Sequence, residues 1–333
     1  MNYMRNREPL EEIYRSGFPD DGDLYVRYFF EEKIRRADVF TLSEGGRIVS
    51  AAYVFKKKLR FFSRDIELAF FSTAATLAEL RGRGLMGRVM SDVFDKYRDY
   101  PFLSLYPFKH EYYSSRYGFS NYNYLHKSAL TVGNAAALGV TLSESDARRC
   151  PETYRLLSEL YAKKTAAFDS YIVGDADFFE LKMREVCADG GFIRLALDEK
   201  KAPKGYVCFD ASGIAGEYCG ADLPQAAPPS PAMMIRIINA KKTLELIKFD
   251  CAIDVKIKLN DGFYPKNDAV YAIKADGRGT RVSVSQPNGA FDLELSIESL
   301  QNLIFDKPKL DGAELAGLKK VFPDIKTFSL EVY

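Results

Sequence analysis

The spacing of apolar and polar residues in the first third of the chain predicts a mixture of helices and strands. A helix is expected at 24–34, where Leu24, Tyr28 and the pair Phe29 and Phe30 form an apolar side. Apolar runs between charged or glycine turns predict strands at 47–55, 59–62, 66–76 and 102–106. The third run is nearly all apolar or small, which is typical of a central strand covered on both faces. Between the last two strands, apolar positions recur at helical spacing over 85–97.

The remainder of the chain changes its pattern twice. Helices are expected near 151–163 and 177–187, and four prolines within 224–231 indicate a boundary. Strict alternation over 253–259, and again at 282–284 and 291–295, predicts strands. Hairpin turns are expected between them at Asn260-Asp261-Gly262, Asp276-Gly277 and Asn288-Gly289. With short helices at 297–305 and 312–321, this part predicts an antiparallel α+β module.

A weak internal similarity supports a division into three parts. Residues 198–209 resemble 45–55, since both combine a turn with a strand that ends in Tyr-Val and Phe. The later copy has no arginine–glycine loop. The predicted units are residues 1–130, 131–230 and 231–333, and the fold class is mixed α/β and α+β.

Composition and charge exclude several classes of protein. The 333 residues carry 47 Lys and Arg against 46 Asp and Glu, which argues against a dedicated nucleic-acid-binding protein. The two histidines, His110 and His126, are too few for a multi-histidine zinc site. They also leave few candidates for the catalytic histidine of a Ser-His-Asp hydrolase. Five scattered cysteines, no leader-like start and no long apolar run predict a cytoplasmic protein without a membrane partner.

The loop Arg81-Gly82-Arg83-Gly84 is the sharpest chemical feature of the sequence. It lies between the buried strand and the helix, and a helix N-terminus presents unpaired N–H groups and partial positive charge. Glycines allow a phosphate oxygen to approach the backbone, and arginines add charge-assisted hydrogen bonds. The pattern predicts pyrophosphate binding at 82–86. It is neither a P-loop nor a dinucleotide fingerprint, because Gly-Lys-Ser/Thr and the three-glycine spacing are missing.

The order strand, Arg81-x-x-Gly84, helix, strand and Tyr-x-x-x-Arg-Tyr-Gly-Phe resembles the GNAT superfamily of acetyl-CoA-dependent N-acetyltransferases. Within it the chain is similar to the enhanced intracellular survival (Eis) type. The matching stretches are YRSGFPD at 14–20, TAAT at 73–76, RGRGLM at 81–86, LYPF at 105–108, RYGF at 116–119 and MMIRIIN at 233–239. The resemblance covers the whole chain. It implies a GNAT domain, a degenerate second GNAT copy and a C-terminal domain like sterol carrier proteins.

The resemblance also assigns roles to residues. It implies that the backbone of Ala74, Ala75 and Thr76 pairs with the pantetheine amides of acetyl-CoA. The pyrophosphate would be held by the six-residue segment Arg81, Gly82, Arg83, Gly84, Leu85 and Met86. Met86 stands where the wider superfamily usually has Gly or Ala, although Eis-like proteins also place a larger residue there.

Two further roles concern proton transfer. The family's general-acid tyrosine usually lies four residues before the Gly of Gly-Phe, which here is Ser114. Tyr113 is the expected general acid, with Tyr112 as the alternative. Either tyrosine requires a helix register that is shifted from the family's four-residue spacing. The general base implied by the family is the carboxylate of the last residue, Tyr333, and the apolar ending of the chain favours docking.

The resulting expectation is an N-acetyltransferase in which an amine attacks the thioester directly, with acetyl-CoA as cosubstrate and no metal. The acceptor would be a primary amine of a small polyamine-like or aminoglycoside-like molecule. The resemblance also implies a homo-oligomer, often a trimer-based hexamer. Two alternatives stay open: a non-catalytic protein that senses CoA or binds an apolar ligand, which the displaced tyrosine favours, and an acetyltransferase of protein lysines.

Overall fold

The computed structural model describes residues 6–125, 130–134, 139–144, 150–220, 228–310 and 315–329. The N-terminal elements are α1 (Arg7–Gly17), α2 (Asp23–Glu31), β1 (Ala37–Glu44), β2 (Arg47–Phe61), β3 (Arg64–Thr76), α3 (Leu85–Lys96), β4 (Phe102–Leu105), α4 (His110–Tyr117), β5 (Ser120–Asn121) and β6 (Tyr124–Leu125). Helix α2 ends earlier than expected, and a 3₁₀ turn, Lys33–Arg36, continues the chain. The buried side of α2 is Val26, Phe29 and Phe30, whereas Leu24 is 73% exposed.

Two predicted strands, at 47–55 and 59–62, form the single strand β2. The three lysines between them do not interrupt it, because their backbone stays paired with β3 from Lys56↔Ala69 to Lys58↔Glu67. Charged side chains are tolerated wherever alternation turns them towards solvent, and Lys56 and Lys58 are exposed. Lys57 faces the other way and is half-buried.

The middle and C-terminal elements follow in chain order. They are β7 (Thr141–Leu142), α5 (Glu152–Thr165), β8 (Ser170–Ile172), α6 (Ala176–Ala188), β9 (Phe192–Leu197), β10 (Pro203–Phe209), β11 (Ala215–Cys219), β12 (Ser230–Pro231), β13 (Met234–Ile237), α7 (Ala240–Leu246), β14 (Ile253–Asn260), β15 (Ala269–Ala275), β16 (Thr280–Ser285), β17 (Leu293–Ser296), α8 (Ile297–Phe305), α9 (Ala316–Val321) and β18 (Thr327–Phe328).

The largest sheet is built from all three parts of the chain. Its strand order is β18-β8-β2-β3-β4-β13-β5, with β1 paired to the first half of β2. Strand β13 separates β4 from β5 and is antiparallel to both. Its residues are fully apolar apart from Arg236, and all are buried, as expected of a strand covered on both faces. The predicted unit boundaries remain a prediction, but this sheet extends beyond residues 1–130.

The middle part repeats the beginning of the chain in element order. Two helices, α5 and α6, precede the antiparallel strands β9, β10 and β11, just as α1 and α2 precede β1, β2 and β3. The two segments whose sequences resemble each other both fall in the second strand of these sets, β2 and β10. A tandem arrangement of GNAT-like units is therefore consistent with the described elements.

The C-terminal sheet is mixed and not antiparallel as predicted. Its order is β16-β15-β14-β17, and β17 runs parallel to β14. The chain leaves β16 at one edge and crosses to the opposite edge, so the hairpin predicted at Asn288-Gly289 is wrong. Asn260-Asp261-Gly262 opens a longer connection that contains the 3₁₀ turn Pro265–Asn267. The likeness of this part to sterol carrier proteins stays a prediction.

Candidate active site

The pairing between β3 and β4 in the largest sheet is short and leaves an opening beyond its last pair. Their parallel pairing covers Ala69↔Leu103 and Phe70↔Ser104. From Phe71 to Thr76, β3 continues beside β2, and its other edge has no strand partner among the residues that the structure describes. An unpaired strand edge presents a row of N–H and C=O groups. This edge can therefore accept an extended ligand as an additional strand.

A β-bulge lies inside this opening. The register of β2 against β3 shifts, so that Ala51 pairs with Ala75 and Tyr53 with Ser72. Two residues, Thr73 and Ala74, consequently oppose Ala52. Thr73 has φ = 49°, a conformation that costs a β-branched residue about 1–3 kcal/mol and is concentrated at functional sites. A bulge redirects backbone groups, and here it lies on the part of β3 that continues beyond its pairing with β4.

The arginine–glycine loop joins β3 to the N-terminus of α3, as the sequence predicts. Gly82 and Gly84 have φ of 80° and 76°, so both positions require glycine, and a Cβ at either one would meet nothing within 4 Å. No side chain caps α3. The N–H groups of Leu85 and Met86 fall in the first turn, where a helix has no internal acceptors. The loop can thus offer backbone donors to an anion.

The two arginines of this loop act differently from one another. Arg81 donates through Nε to the carbonyl of Thr76 at 3.0 Å and through Nη2 to Ser16 Oγ at 3.2 Å. It therefore ties the end of β3 to the end of α1. Arg83 pairs with Glu44 at the surface, with 3.1 Å between Nη2 and Oε2. The side chain of Arg81 thus supports the loop through its contacts with Thr76 and Ser16, and its backbone forms part of the loop.

Helix α4 carries Tyr113 and is fixed at its C-terminus by distant residues. Gly118 ends the helix with φ = 69°, and a Cβ there would lie 2.5 Å from Glu298 Oε1. Gln301 Nε2 donates to the Gly118 carbonyl at 2.7 Å, and Arg236 Nε donates to the Tyr117 carbonyl at 2.7 Å. The position of Tyr113 therefore depends on β13 and α8, which belong to the last third of the chain.

Tyr113 lines a cavity of about 330 Å³ beside the bulge, which we call the bulge cavity. The cavity is also lined by Thr73, Ala74 and Tyr106. Tyr113 is 7% exposed, and burial raises the pKa of its hydroxyl above the usual value. Tyr112 does not line this cavity, and its hydroxyl lies 3.2 Å from that of Tyr117. The geometry favours Tyr113 of the two tyrosines.

The sequence analysis missed two carboxylates of the bulge cavity, Asp21 and Asp189. Asp21 accepts a hydrogen bond from the hydroxyl of Tyr14. Asp189 follows α6, and burial, followed by the negative charge of Asp21, raises the pKa of its carboxyl. Asp21 adjoins a stretch that the sequence analysis singled out, at 14–20. Asp189 had no such signal, because it comes from the middle part of the chain.

The C-terminal segment enters the molecule close to the same cavity. Ser329 is fully buried, and its Oγ lies 2.6 Å from the hydroxyl of Tyr106. Asn123 Nδ2 donates to the Ser329 carbonyl at 3.0 Å, and Thr327 Oγ1 donates to the Tyr122 carbonyl at 2.7 Å. Tyr333, the expected base, lies outside the described residues.

The described residues contain no group of three or more His, Cys, Asp or Glu side chains placed to hold a metal ion. None of their helices combines the length and apolar character that crossing a membrane requires.

Solved structures with the same fold cover nearly the whole chain. A probable N-acyltransferase of unknown function from Enterococcus faecalis V583 is 14% identical, with a TM-score of 0.77 over 100% of this chain and 98% of that one. A GCN5-related N-acetyltransferase from Anabaena variabilis ATCC 29413 is 14% identical, with a TM-score of 0.72 over 99% and 98%. Eis1 from Mycobacterium abscessus is 13% identical, with a TM-score of 0.70 over 100% and 99%. At these identities the likeness establishes the fold alone.

Sequence comparison identifies the N-terminal part more closely. No curated protein sequence matches this chain significantly. Residues 8–121 match the family described as acetyltransferase (GNAT) domain, and this range contains the opening, the bulge, the arginine–glycine loop and Tyr113. Residues 8–121 therefore form a GNAT acetyltransferase domain, and the expectation that the chain is an N-acetyltransferase is confirmed at the level of this domain.

Proposed function

We propose that this protein transfers the acetyl group of acetyl-CoA to a primary amine of a small molecule by direct attack. The observation that carries the proposal is the open edge of β3, which leads from the bulge at Thr73 to the N-terminus of α3. This arrangement offers hydrogen-bonding partners for the two polar portions of an acyl-CoA, the amide-bearing arm and the pyrophosphate.

The cosubstrate is proposed to lie along this path. Backbone groups of Ala74, Ala75 and Thr76 pair with the pantetheine amides, and backbone N–H groups of 82–86 hold the pyrophosphate. The open space around Gly82 and Gly84 supports close approach of phosphate oxygens. Arg83 is exposed and supplies positive charge nearby, while Arg81 braces the loop.

Tyr113 is proposed as the general acid. An amine nitrogen attacks the acetyl carbonyl carbon, the C–S bond breaks, and the departing thiolate takes the hydroxyl proton of Tyr113. A hydroxyl whose pKa is raised by burial remains protonated at neutral pH, so the proton is present when the thiolate departs. Backbone N–H groups at the bulge are proposed to stabilise the negative charge that develops on the carbonyl oxygen.

The attacking amine must lose a proton, and three carboxylates are proposed to assist. Asp189 and Asp21 place carboxylates in the bulge cavity, where they attract the ammonium form of the acceptor. The carboxylate of Tyr333 remains the proposed final proton acceptor. Ser329 is buried next to Tyr106, which lines the bulge cavity. The four residues after Ser329, up to Tyr333, span at most about 14 Å when fully extended, and this length supports a terminal carboxylate that reaches the cavity.

Other expectations remain proposals of the same kind. Polyamine-like and aminoglycoside-like amines, which the resemblance implies, are the first acceptors to test. A homo-oligomer, with the trimer-based hexamer as its expected form, and a cytoplasmic location likewise rest on the resemblance and on composition.

A calorimetric titration with acetyl-CoA tests the proposed cosubstrate site. Alanine disfavours the left-handed conformation of Gly84 by about 1–2 kcal/mol, so the free loop of Gly84→Ala should leave this conformation and has to regain it on binding, and we expect the affinity to fall about tenfold. Gly87→Ala is the matched control, because Gly87 lies inside α3, where alanine is favoured and a Cβ meets no atom within 4 Å. Unchanged affinity in Gly84→Ala would contradict the proposed pyrophosphate site.

A further inference from the structure

A small cavity lies at the end of β3 that is opposite to the arginine–glycine loop. It has a volume of about 150 Å³ and is lined by residues 62–64 at the β2–β3 turn, 245–249 at the end of α7 and 277–280 at the β15–β16 turn. We call it the turn cavity. A strand rises about 3.3 Å per residue, so the 13 residues of β3 separate the turn cavity from the loop by roughly 40 Å. The turn cavity is therefore remote from the proposed cosubstrate site.

Three cations and one carboxylate line the turn cavity. The cations are Arg64, Lys248 and Arg278, and the carboxylate is Glu245. None of the three cationic side chains forms a hydrogen bond or an ion pair with another of the described residues. Glu245 Oε1 already lies 3.7 Å from Nζ of Lys241. The cavity therefore holds an excess of positive charge that no described part of the chain neutralises.

A wider groove of about 440 Å³ continues from the turn cavity. Both are lined by Arg64, Glu245 and Arg278. The groove adds Arg281 and Asp276, whose Nη2 and Oδ2 atoms are 3.7 Å apart, and Asp276 also accepts from the Arg278 N–H at 3.1 Å. Because the groove adds one charge of each sign, it does not reverse the excess.

A second groove, of about 370 Å³, leaves the turn cavity on the other side and has a different balance. It adds Lys242 and the carboxylates of Glu67 and Asp99. Asp99 lies 3.6 Å from Nζ of Lys242, and Glu67 accepts a hydrogen bond from the hydroxyl of Tyr100. Both carboxylates thus have partners in the protein, and the cations without partners are those of the turn cavity.

The segments around the turn cavity are held in place by their own contacts. Phe62 has φ = 52°, a conformation that is costly for a residue other than glycine and is concentrated at functional sites. Its N–H donates to the carbonyl of Asp169 at 2.6 Å. Thr280 Oγ1 donates to the Ile247 carbonyl at 2.6 Å and so ties β16 to the end of α7. An anion would therefore meet a preformed cavity.

The size and charge of the turn cavity favour a compact anion with two charges. Arginine presents a planar fork of donors that matches phosphate oxygens, and lysine adds a point charge. The Coulombic attraction to each cation doubles when the anion carries two charges instead of one. Ser63 also lines the cavity and adds a hydroxyl donor. The volume is below the range of about 300–1,000 Å³ that is usual for drug-sized ligands, so it suits a single anionic group.

We propose that the turn cavity binds a dianionic phosphate group, either as free phosphate or as the phosphate of a small phosphomonoester whose remainder lies in the wider groove. Arg64 and Arg278 hold the phosphate oxygens, and Lys248 adds positive charge. Arg64 belongs to the GNAT domain, whereas the other two cations come from the last third of the chain. The bound phosphate therefore joins these two parts. This site does not depend on the proposed acetyl transfer.

A calorimetric titration with inorganic phosphate tests the site. It is carried out at constant ionic strength and with saturating CoA, which occupies the arginine–glycine loop. We expect one phosphate per chain with a Kd of about 1 mM or below, and we expect nitrate, with its single charge, to bind at least about tenfold more weakly. Glycerol 3-phosphate distinguishes the two sources, because tighter binding than phosphate identifies an ester and weaker binding identifies free phosphate. A Kd above about 10 mM for both would overturn the inference.

Variants of the two arginines connect binding to the turn cavity. Arg64→Gln and Arg278→Gln each remove one charge and should weaken phosphate binding about tenfold, whereas Arg278→Lys should retain most of the affinity. Without phosphate all three should melt at the wild-type temperature, because neither side chain has a polar partner among the described residues. Arg155→Gln is the matched control, since Arg155 is exposed on α5 and lines neither the turn cavity nor its grooves. Unchanged affinity in both glutamine variants would contradict the assignment.

Gly84→Ala keeps the two anion sites distinguishable. If phosphate binding is lost in Gly84→Ala but retained in the arginine variants, phosphate occupies the arginine–glycine loop and the inference is wrong. If CoA does not bind at all, the cosubstrate proposal fails, whereas phosphate binding that the arginine variants lose still supports the turn cavity as a phosphate site.

Discussion

Replacing Arg236 with methionine removes a buried charge that connects the C-terminal sheet to the helix of Tyr113. The Arg236 side chain is fully buried and is ion-paired with Asp261, which is also buried. It also donates to the carbonyls of Tyr117 at 2.7 Å and Ile237 at 2.8 Å. Removing one partner of a buried pair costs about 3–5 kcal/mol, because the other charge stays behind without compensation.

The remaining contacts of Asp261 place the expected loss near the lower end of that range. Its carboxylate still accepts from the Tyr264 N–H at 2.9 Å and from Asn267 Nδ2 at 2.9 Å. We therefore expect Arg236→Met to lower the free energy of unfolding by about 3 kcal/mol, a large share of the roughly 5–15 kcal/mol that is typical of a native protein. Without a tryptophan in the chain, tyrosine fluorescence and far-UV circular dichroism in urea are the suitable probes.

A double-mutant cycle shows whether the charge is the cause. Adding Asp261→Asn to Arg236→Met removes the uncompensated carboxylate, so we expect the double variant to recover at least about 1 kcal/mol relative to Arg236→Met. In the folded fraction of Arg236→Met, kcat should fall while acetyl-CoA affinity is retained, because the loosened element is α4 and not the loop before α3. A loss below about 1 kcal/mol, or full additivity in the cycle, would show that Arg236 and Asp261 do not form a pair of this strength.

Further predictions concern the proton-transfer groups. Tyr113→Phe should lower kcat by about 10²–10⁴, with Tyr112→Phe as the matched control, and an equal loss in the control would mean that the register is wrong. Asp189 has a raised pKa in the folded protein, so its contribution to stability is fully present below the unfolded pKa of about 3.9 and is lost as pH rises through the folded value. Asp189→Asn should therefore gain thermal stability relative to the wild type between pH 4 and 7, and equal melting curves at both pH values would contradict this. Deleting Val332 and Tyr333 should abolish turnover and spare acetyl-CoA binding, and full activity after deletion would remove the terminal carboxylate from the mechanism.

The elements that position the cosubstrate site could be predicted from the sequence, because their sequence patterns are local. Helix α3 begins at Leu85, directly after the arginine–glycine loop, and its buried residues recur at the predicted spacing. The same holds for α8, predicted and observed at Ile297–Phe305. Local periodicity determines which residues are buried, and glycine at Gly82 and Gly84 reports a backbone conformation that few other residues adopt.

Features that depend on distant pairing were not accessible. Alternation predicted a strand at 291–295, of which the structure has Leu293–Ser296, but it could not reveal that β17 runs parallel to β14. Arg236 was visible as part of a matching stretch, yet its contact with Tyr117 joins residues 119 positions apart. Asp189 reaches the bulge cavity only through the packing of α6 against α2. Which strand pairs with which, and which distant side chains meet, depends on the three-dimensional arrangement. The spacing of residues along the sequence gives no direct signal of it.

The central claim is that this protein moves an acetyl group from acetyl-CoA to an amine. The most direct measurement is thiol release from acetyl-CoA by the purified protein, without a C-terminal tag, in the presence and absence of primary amines. We expect release that depends on the amine and an acetylated product formed in a 1:1 ratio to free CoA. Tight acetyl-CoA binding with no amine-dependent release from any acceptor class would contradict it and favour a CoA-sensing protein.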